Sequence, residues 1–219
     1  MPTTSAILLG LTHIANRAVA VAVGWHLVLA LALIALARGW RPSHRVAAAL
    51  LAAPLASVAA LAFAFGNPFN GVMFVGAAIA LTVLGWRDGG RPVQGGPAWA
   101  RGAGLAMIGF GWVYPHFLAA PPLAYLVAAP LGLVPCPTLS VVIGLALLAR
   151  WPGRATPLTV AGLGGFYGLF GVVRLGVTLD LGLVAGAVAL AVAAWVERAP
   201  IATAAPLERH LGRAAPPAR

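Results

Sequence analysis

Residues 18–45 read AVAVAVGWHLVLALALIALARGWRPSHR, and this passage decides the fold class. Residues 18–37 carry no charge; the loop that follows carries Arg38, Arg41 and Arg45. A helix of about 20 mainly apolar residues matches the hydrocarbon core of a bilayer. Arginines gathered just past such a helix mark the cytoplasmic side. Six further apolar stretches follow, at 46–66, 68–86, 102–118, 137–149, 157–173 and 181–196.

Every second gap repeats the arginine signal. Arg87, Arg91 and Arg101 follow the third stretch, Arg150 and Arg154 the fifth, and Arg198, Arg209, Arg213 and Arg219 the last. The gaps at 66–70 and 119–135 carry no charge. The expectation is an all-α polytopic membrane bundle of about seven transmembrane helices, N-terminus outside and C-terminus cytoplasmic. Residues 1–198 form one transmembrane bundle, and 199–219 an Arg/Pro/Ala-rich cytoplasmic tail. Trp40, Trp86, Trp99, Trp151 and Trp195 stand beside the arginines, as an interfacial belt does. The first 17 residues lack a basic segment ahead of an apolar core, so the first apolar helix serves as an uncleaved insertion signal.

Composition agrees. The chain is 61% hydrophobic and 8% charged, whereas a soluble domain carries roughly 25% charged residues. The net charge of +10 sits at helix ends rather than along one face, so it points to anionic lipid headgroups and not to nucleic acid. All fourteen basic residues in the Lys+Arg count are arginine. Without a lysine amine there is no retinal-type Schiff base. One cysteine excludes an intrachain disulfide.

With helices as rulers, at about 1.5 Å per residue, the polar residues gather toward one side. Cys136 lies roughly 20 Å from the arginine end, His116 and Asn70 about 22–25 Å, and Arg174, Asp180, Asn67 and Arg17 about 25–31 Å. Tyr114 and Thr138 belong to the same layer. Intramembrane polar groups are costly unless paired, which makes them functional candidates. Arg17 is long enough to snorkel to the outer headgroups. Arg174 and Asp180 flank a short turn and suit a clamp. His26, at mid-depth, suits a hydrogen bond to a neighbouring carbonyl, and Tyr167 lies at similar depth.

Residues 121–137 read PPLAYLVAAPLGLVPCP. Proline removes a backbone donor and clashes with the preceding turn, so no continuous helix forms. Yet the segment is apolar, and irregular backbone at membrane depth survives only where protein buries it. It reads as a re-entrant or loop segment before the fifth helix. That helix is expected to start at Pro137, with Pro135 as part of the break. Its first-turn N–H groups suit an anion, a carbonyl oxygen or the Cys136 thiolate. Asn67 is a structural N-cap with Pro68 at the first helical position. Cys136 and His116 leave a zinc site two ligands short, so metal and cofactor stay unassigned.

Several runs resemble a bacterial multi-pass membrane protein family catalogued only as a domain of unknown function. Gly132-Leu133-Val134-Pro135-Cys136-Pro137-Thr138 resembles its G-V-x-P-C-P-T signature. Leu175 to Leu183, LGVTLDLGL, is similar to its L-G-V-x-x-D-x-G-L run. Gly66-Asn67-Pro68 resembles its INP turn, and Val113-Tyr114-Pro115 its x-Y-P helix end. Ala15-Asn16-Arg17-Ala18-Val19 resembles its YN-x-A-x-W-P start, with the tyrosine, tryptophan and proline absent. The likeness spans about residues 13–190. It implies a multi-pass protein of the bacterial inner (plasma) membrane and carries no activity with it.

The leading functional expectation is binding or transport of a small polar solute or ion in an outer-half pocket. Its candidate residues are Cys136, Thr138, His116, Asn70 and Tyr114, with Arg174 and Asp180 at the rim. An accessory or structural subunit of a larger membrane complex, or a homo-oligomer, is the alternative. Gly102, Gly104, Gly109 and Gly111 on one helix, and Gly162, Gly164, Gly165, Gly168 and Gly171 on another, allow close helix approach. An intramembrane enzyme with Cys136 as nucleophile and His116 as base is the third. No phosphate loop or HExxH is present, which argues against ATP hydrolysis and zinc proteolysis.

Overall fold

In the computed structural model, which describes residues 3–196, the chain is all-α apart from one two-residue strand pair. The helices are α1 (Thr4–Arg17), α2 (Val19–Ala37), α3 (His44–Ala64), α4 (Pro68–Asp88), α5 (Ala98–Val113), α6 (Tyr125–Ala128), α7 (Pro135–Leu148), α8 (Ala155–Leu175) and α9 (Asp180–Val196). Each of the seven apolar stretches forms one of them. The expected tail at 199–219 lies outside the described residues.

Four helices, α2, α3, α4 and α8, are long and apolar enough to cross a membrane. The other three stretches yield shorter helices: α5 has 16 residues, α7 has 14 and α9 has 17. At 1.5 Å per residue α7 is about 21 Å long, against roughly 30 Å of hydrocarbon. Its surroundings explain why that length suffices. Every residue from Pro135 to Gly144 is buried, and α7 packs against α3, α5, α8 and α9. An apolar helix covered on all sides by other helices is the core of the bundle rather than one of its walls. By contrast, α2 buries only Ala22, His26 and Leu29.

Small residues let α7 sit at the centre. A Cβ on Gly104 would lie 2.7 Å from the Gly144 carbonyl oxygen, and one on Gly111 would lie 2.6 Å from that of Pro137. Gly164 faces Ile143 of α7, and Gly168 faces Val184 of α9. These glycines serve packing inside the bundle; Gly102, Gly109 and Gly162 meet nothing within 4 Å.

The segment before α7 divides in two. Residues 121–127 lie at the surface, as a 3-10 turn (Pro122–Ala124) and most of α6, while 128–134 are buried. Side chains satisfy this irregular backbone. Gly132 donates its N–H to Thr138 Oγ1 at 2.9 Å, and its carbonyl accepts from Ser57 Oγ at 2.8 Å. Gly132 has φ +73, and a Cβ there would collide with the Trp25 ring, so both backbone and space call for glycine. His26 ties α2 to α5, with Nδ1 2.9 Å from the Ala22 oxygen and Nε2 3.0 Å from that of Trp112.

The arginine-bearing loops are ordered against one another. His44 donates its backbone N–H to Arg91 O, and Val93 donates to Pro42 O. Strands β1 (Gln94–Gly95) and β2 (Ala149–Arg150) pair antiparallel. Trp40, Trp86, Trp99 and Trp195 are exposed, and Trp86 and Trp195 lie under the guanidinium groups of Arg45 and Arg154. Trp151 departs from the expected belt. It is buried, donates to Ala146 O and packs beside the His44 ring, on the wall of the space below the short α7.

Candidate functional site

Three chain breaks meet at the end opposite the arginine loops. Helix α5 ends at Val113, because Pro115 supplies no N–H, and Tyr114 becomes its C-cap. Helix α7 begins at Pro135, two residues before the expected Pro137. Both prolines fit the first turn, where backbone N–H groups need no intrahelical partner. Helix α9 begins with Asp180. Asp180 is 1% exposed, Tyr114 0% and Cys136 6%.

These three side chains form one hydrogen-bonded unit. Tyr114 OH donates to Asp180 Oδ1 at 2.8 Å, and Cys136 Sγ–H donates to Asp180 Oδ2 at 3.2 Å. The carboxylate therefore has a neutral donor on each oxygen, and no described cation forms an ion pair with it. Its compensation is dipolar. It stands at the N-terminus of α9 and beside that of α7, and both helix ends are electropositive. Neighbouring glycines make the room: a Cβ on Gly171 would lie 2.7 Å from Asp180 Cγ and closer still to Oδ2.

A second pair lies alongside. Tyr167 OH donates to Asn70 Oδ1 at 2.9 Å, and Tyr167 is within electrostatic range of Cys136. Asn70 is placed by the cap of α4, where Asn67 Oδ1 accepts the Asn70 N–H at 3.1 Å and Pro68 occupies the first turn. One turn into α7, Ser140 Oγ is buried with no hydrogen-bond partner. It lies four residues after Cys136, on the same helix face.

The loop after α5 is held in a rare conformation. Phe117 has φ +74, which costs a non-glycine residue about 1–3 kcal/mol and persists only where its surroundings fix it. Asn16 fixes it, donating to Phe117 O at 3.0 Å and accepting from Ala119 N–H at 2.9 Å. Phe117 then stacks on Tyr114, ring centroids 6.3 Å apart, and His116 packs on Phe117 at 4.3 Å. His116 lies within electrostatic range of Asp180.

Of the candidate residues, Tyr114, Cys136 and Asp180 touch directly. His116 and Asn70 stand beside them. Thr138 and Arg174 do not belong to the cluster. Thr138 donates to Val134 O at 2.7 Å and holds the buried loop. Arg174 is exposed and donates to Thr4 Oγ1 at 3.1 Å, so the clamp with Asp180 is replaced by a contact to α1. Asp180 lies in the core rather than at a rim, because Gly168 and Gly171 give it a recess in α8. The Cys136 thiol bonds Asp180 rather than His116, so the nucleophile–base pair of the enzyme alternative is not formed. Tyr167 is the added member; its signal was a polar-tipped side chain between Gly164, Gly168 and Gly171 on one face. The described residues contain no group of three His, Cys, Asp or Glu side chains able to hold a metal.

The chain matches no family model, and neither a curated protein nor a solved structure is similar to it.

Proposed function

We propose that this chain is a multi-pass protein of the bacterial plasma membrane, crossing it seven times with the arginine loops in the cytoplasm. We further propose that it binds or transports a small polar solute or ion at Asp180, one that carries positive charge. A single observation carries the second proposal. Asp180 is a carboxyl group buried in an apolar bundle, hydrogen-bonded by two neutral donors, with helix ends and the His116 ring as the groups around it. Isolated charge in such a setting costs several kcal/mol and is kept chiefly where it serves a function. A cation arriving between Tyr114, Cys136 and Asp180 exchanges the two hydrogen bonds for direct coordination. The unpartnered Ser140 hydroxyl on the same face of α7 is a further oxygen for it. The strained Phe117 beside Tyr114 supports the reading, since backbone strain concentrates at functional sites.

The test uses purified protein in detergent, titrated with sodium, potassium, ammonium and guanidinium chlorides at constant ionic strength. At least one cation is expected to raise the unfolding temperature saturably, and Asp180→Asn to remove that response. Proton movement is read separately, by a pH-sensitive dye in proteoliposomes under a membrane potential. No cation response, together with proton flux equal to that of empty liposomes, would falsify the proposal. Reporter fusions in the 66–70 and 87–101 loops, expected on opposite sides, test the topology.

A further inference from the structure

The other end of the bundle holds a cleft of about 900 Å3. Its origin is the shortness of α7. Neighbouring α3 and α8 have 21 residues each against its 14, a difference of roughly 10 Å in length. The chain turns away at Ala149, and the space below it stays open. Buried Leu147 and Leu190 provide an apolar floor, while Arg41, Arg91 and Arg150 line the mouth and His44 borders it.

We propose that this cleft binds a phosphate-bearing amphiphile, with its anionic group among Arg41, Arg91 and His44 and its apolar part against α7 and α9. Guanidinium groups match phosphate through paired N–H donors. Arg91 makes no side-chain hydrogen bond to another described residue. Arg41 uses Nη1 on the carbonyls of Trp40 and Leu36 and keeps its other donors. His44 is 6% exposed, and its Nδ1 has no hydrogen-bond partner. An imidazole N–H placed there is free to donate to an anionic oxygen. His44 is also the first residue of α3, so the positive end of that helix adds to the field. Asp88, the acidic residue at this end among those described, is engaged by Thr156 at 3.3 Å. The apolar floor favours a lipid over a free phosphate, and the cleft lies at the end of the bundle that carries the arginine loops.

The proposal is independent of Asp180. Its test follows the thermal midpoint of the full-length protein in neutral detergent during titration with phosphatidylglycerol, phosphatidylcholine or inorganic phosphate. The expected result is saturable stabilisation by phosphatidylglycerol and none by phosphatidylcholine. Arg91→Gln should raise the half-saturating concentration about tenfold, the scale of one charge-assisted contact. Arg17→Gln, an exposed arginine at the opposite end, should leave it unchanged. Arg91 is exposed, so this variant keeps the fold, and Arg41→Gln gives a second reading of the same kind. Equal half-saturation in wild type and both variants overturns the proposal, because the response is then general attraction to a basic surface. A response to inorganic phosphate as strong as to phosphatidylglycerol overturns the amphiphile and leaves a phosphate site.

Discussion

The two ends of this bundle handle charge in opposite ways. At the end opposite the arginine loops, one carboxyl group is buried among helix termini, and both its oxygens are hydrogen-bonded. At the arginine end, guanidinium groups surround an open cleft over an apolar floor. The first arrangement is tightly coupled, because a buried polar group that loses a partner bears its full desolvation cost. The second is loose, because exposed charges interact weakly through water. Stability should therefore depend on the Asp180 end, and binding at the end with the arginine loops should be separable from stability.

The largest expected effect breaks the first end directly. Gly171→Leu drives a side chain into the space of the Asp180 carboxylate, and should cost about 4 kcal/mol or more through overpacking and loss of the network. Denaturant unfolding in detergent checks this; a loss below half that figure would mean that Asp180 has another place to go. Tyr114→Phe should be intermediate. It removes one hydrogen bond to a charged acceptor and should cost about 2 kcal/mol. A double-mutant cycle with Asp180→Asn should show coupling, since the residues share one bond. The smallest effect belongs to Arg91→Gln, whose stability without ligand should stay within about 0.5 kcal/mol of wild type. If Arg91→Gln proves as damaging as Tyr114→Phe, the contrast between the ends fails.

Much of the fold was legible because its signals are local. Apolar runs, arginine clusters and prolines report on residues adjacent in the chain. Asn67 and Pro68 read as a helix start because capping depends on three or four consecutive residues. The segment at 121–137 read as broken because its prolines remove its own backbone donors. Helix α7 starts at Pro135 and not at the expected Pro137, since both prolines suit a first turn and only the path of the buried loop chooses between them. Four helices reach spanning length, against seven stretches counted, because an apolar run does not reveal whether lipid or protein will surround it. Helix α7 is the case in point.

The candidate site divides along the same line. Depth along the helices placed Tyr114, Cys136 and Asp180 at one end, since rise per residue is a property of the chain alone. It also placed Arg174 and Thr138 there, and neither enters the cluster, because rotation about a helix axis follows from packing against neighbours. Arg174 turns outward to Thr4, and Asp180 turns inward to the recess at Gly168 and Gly171.

By itself the sequence determined that this chain is helical, apolar and suited to a membrane, and that its arginines lie toward one end. Those properties follow from composition and spacing, which no tertiary contact changes. Only the tertiary structure decided that α7 is the central helix, that Asp180 meets Tyr114 and Cys136, and that a cleft opens beneath the short α7. Each of these depends on which faces of separate helices meet, and that is settled by glycine-sized gaps and paired polar groups distant in the chain.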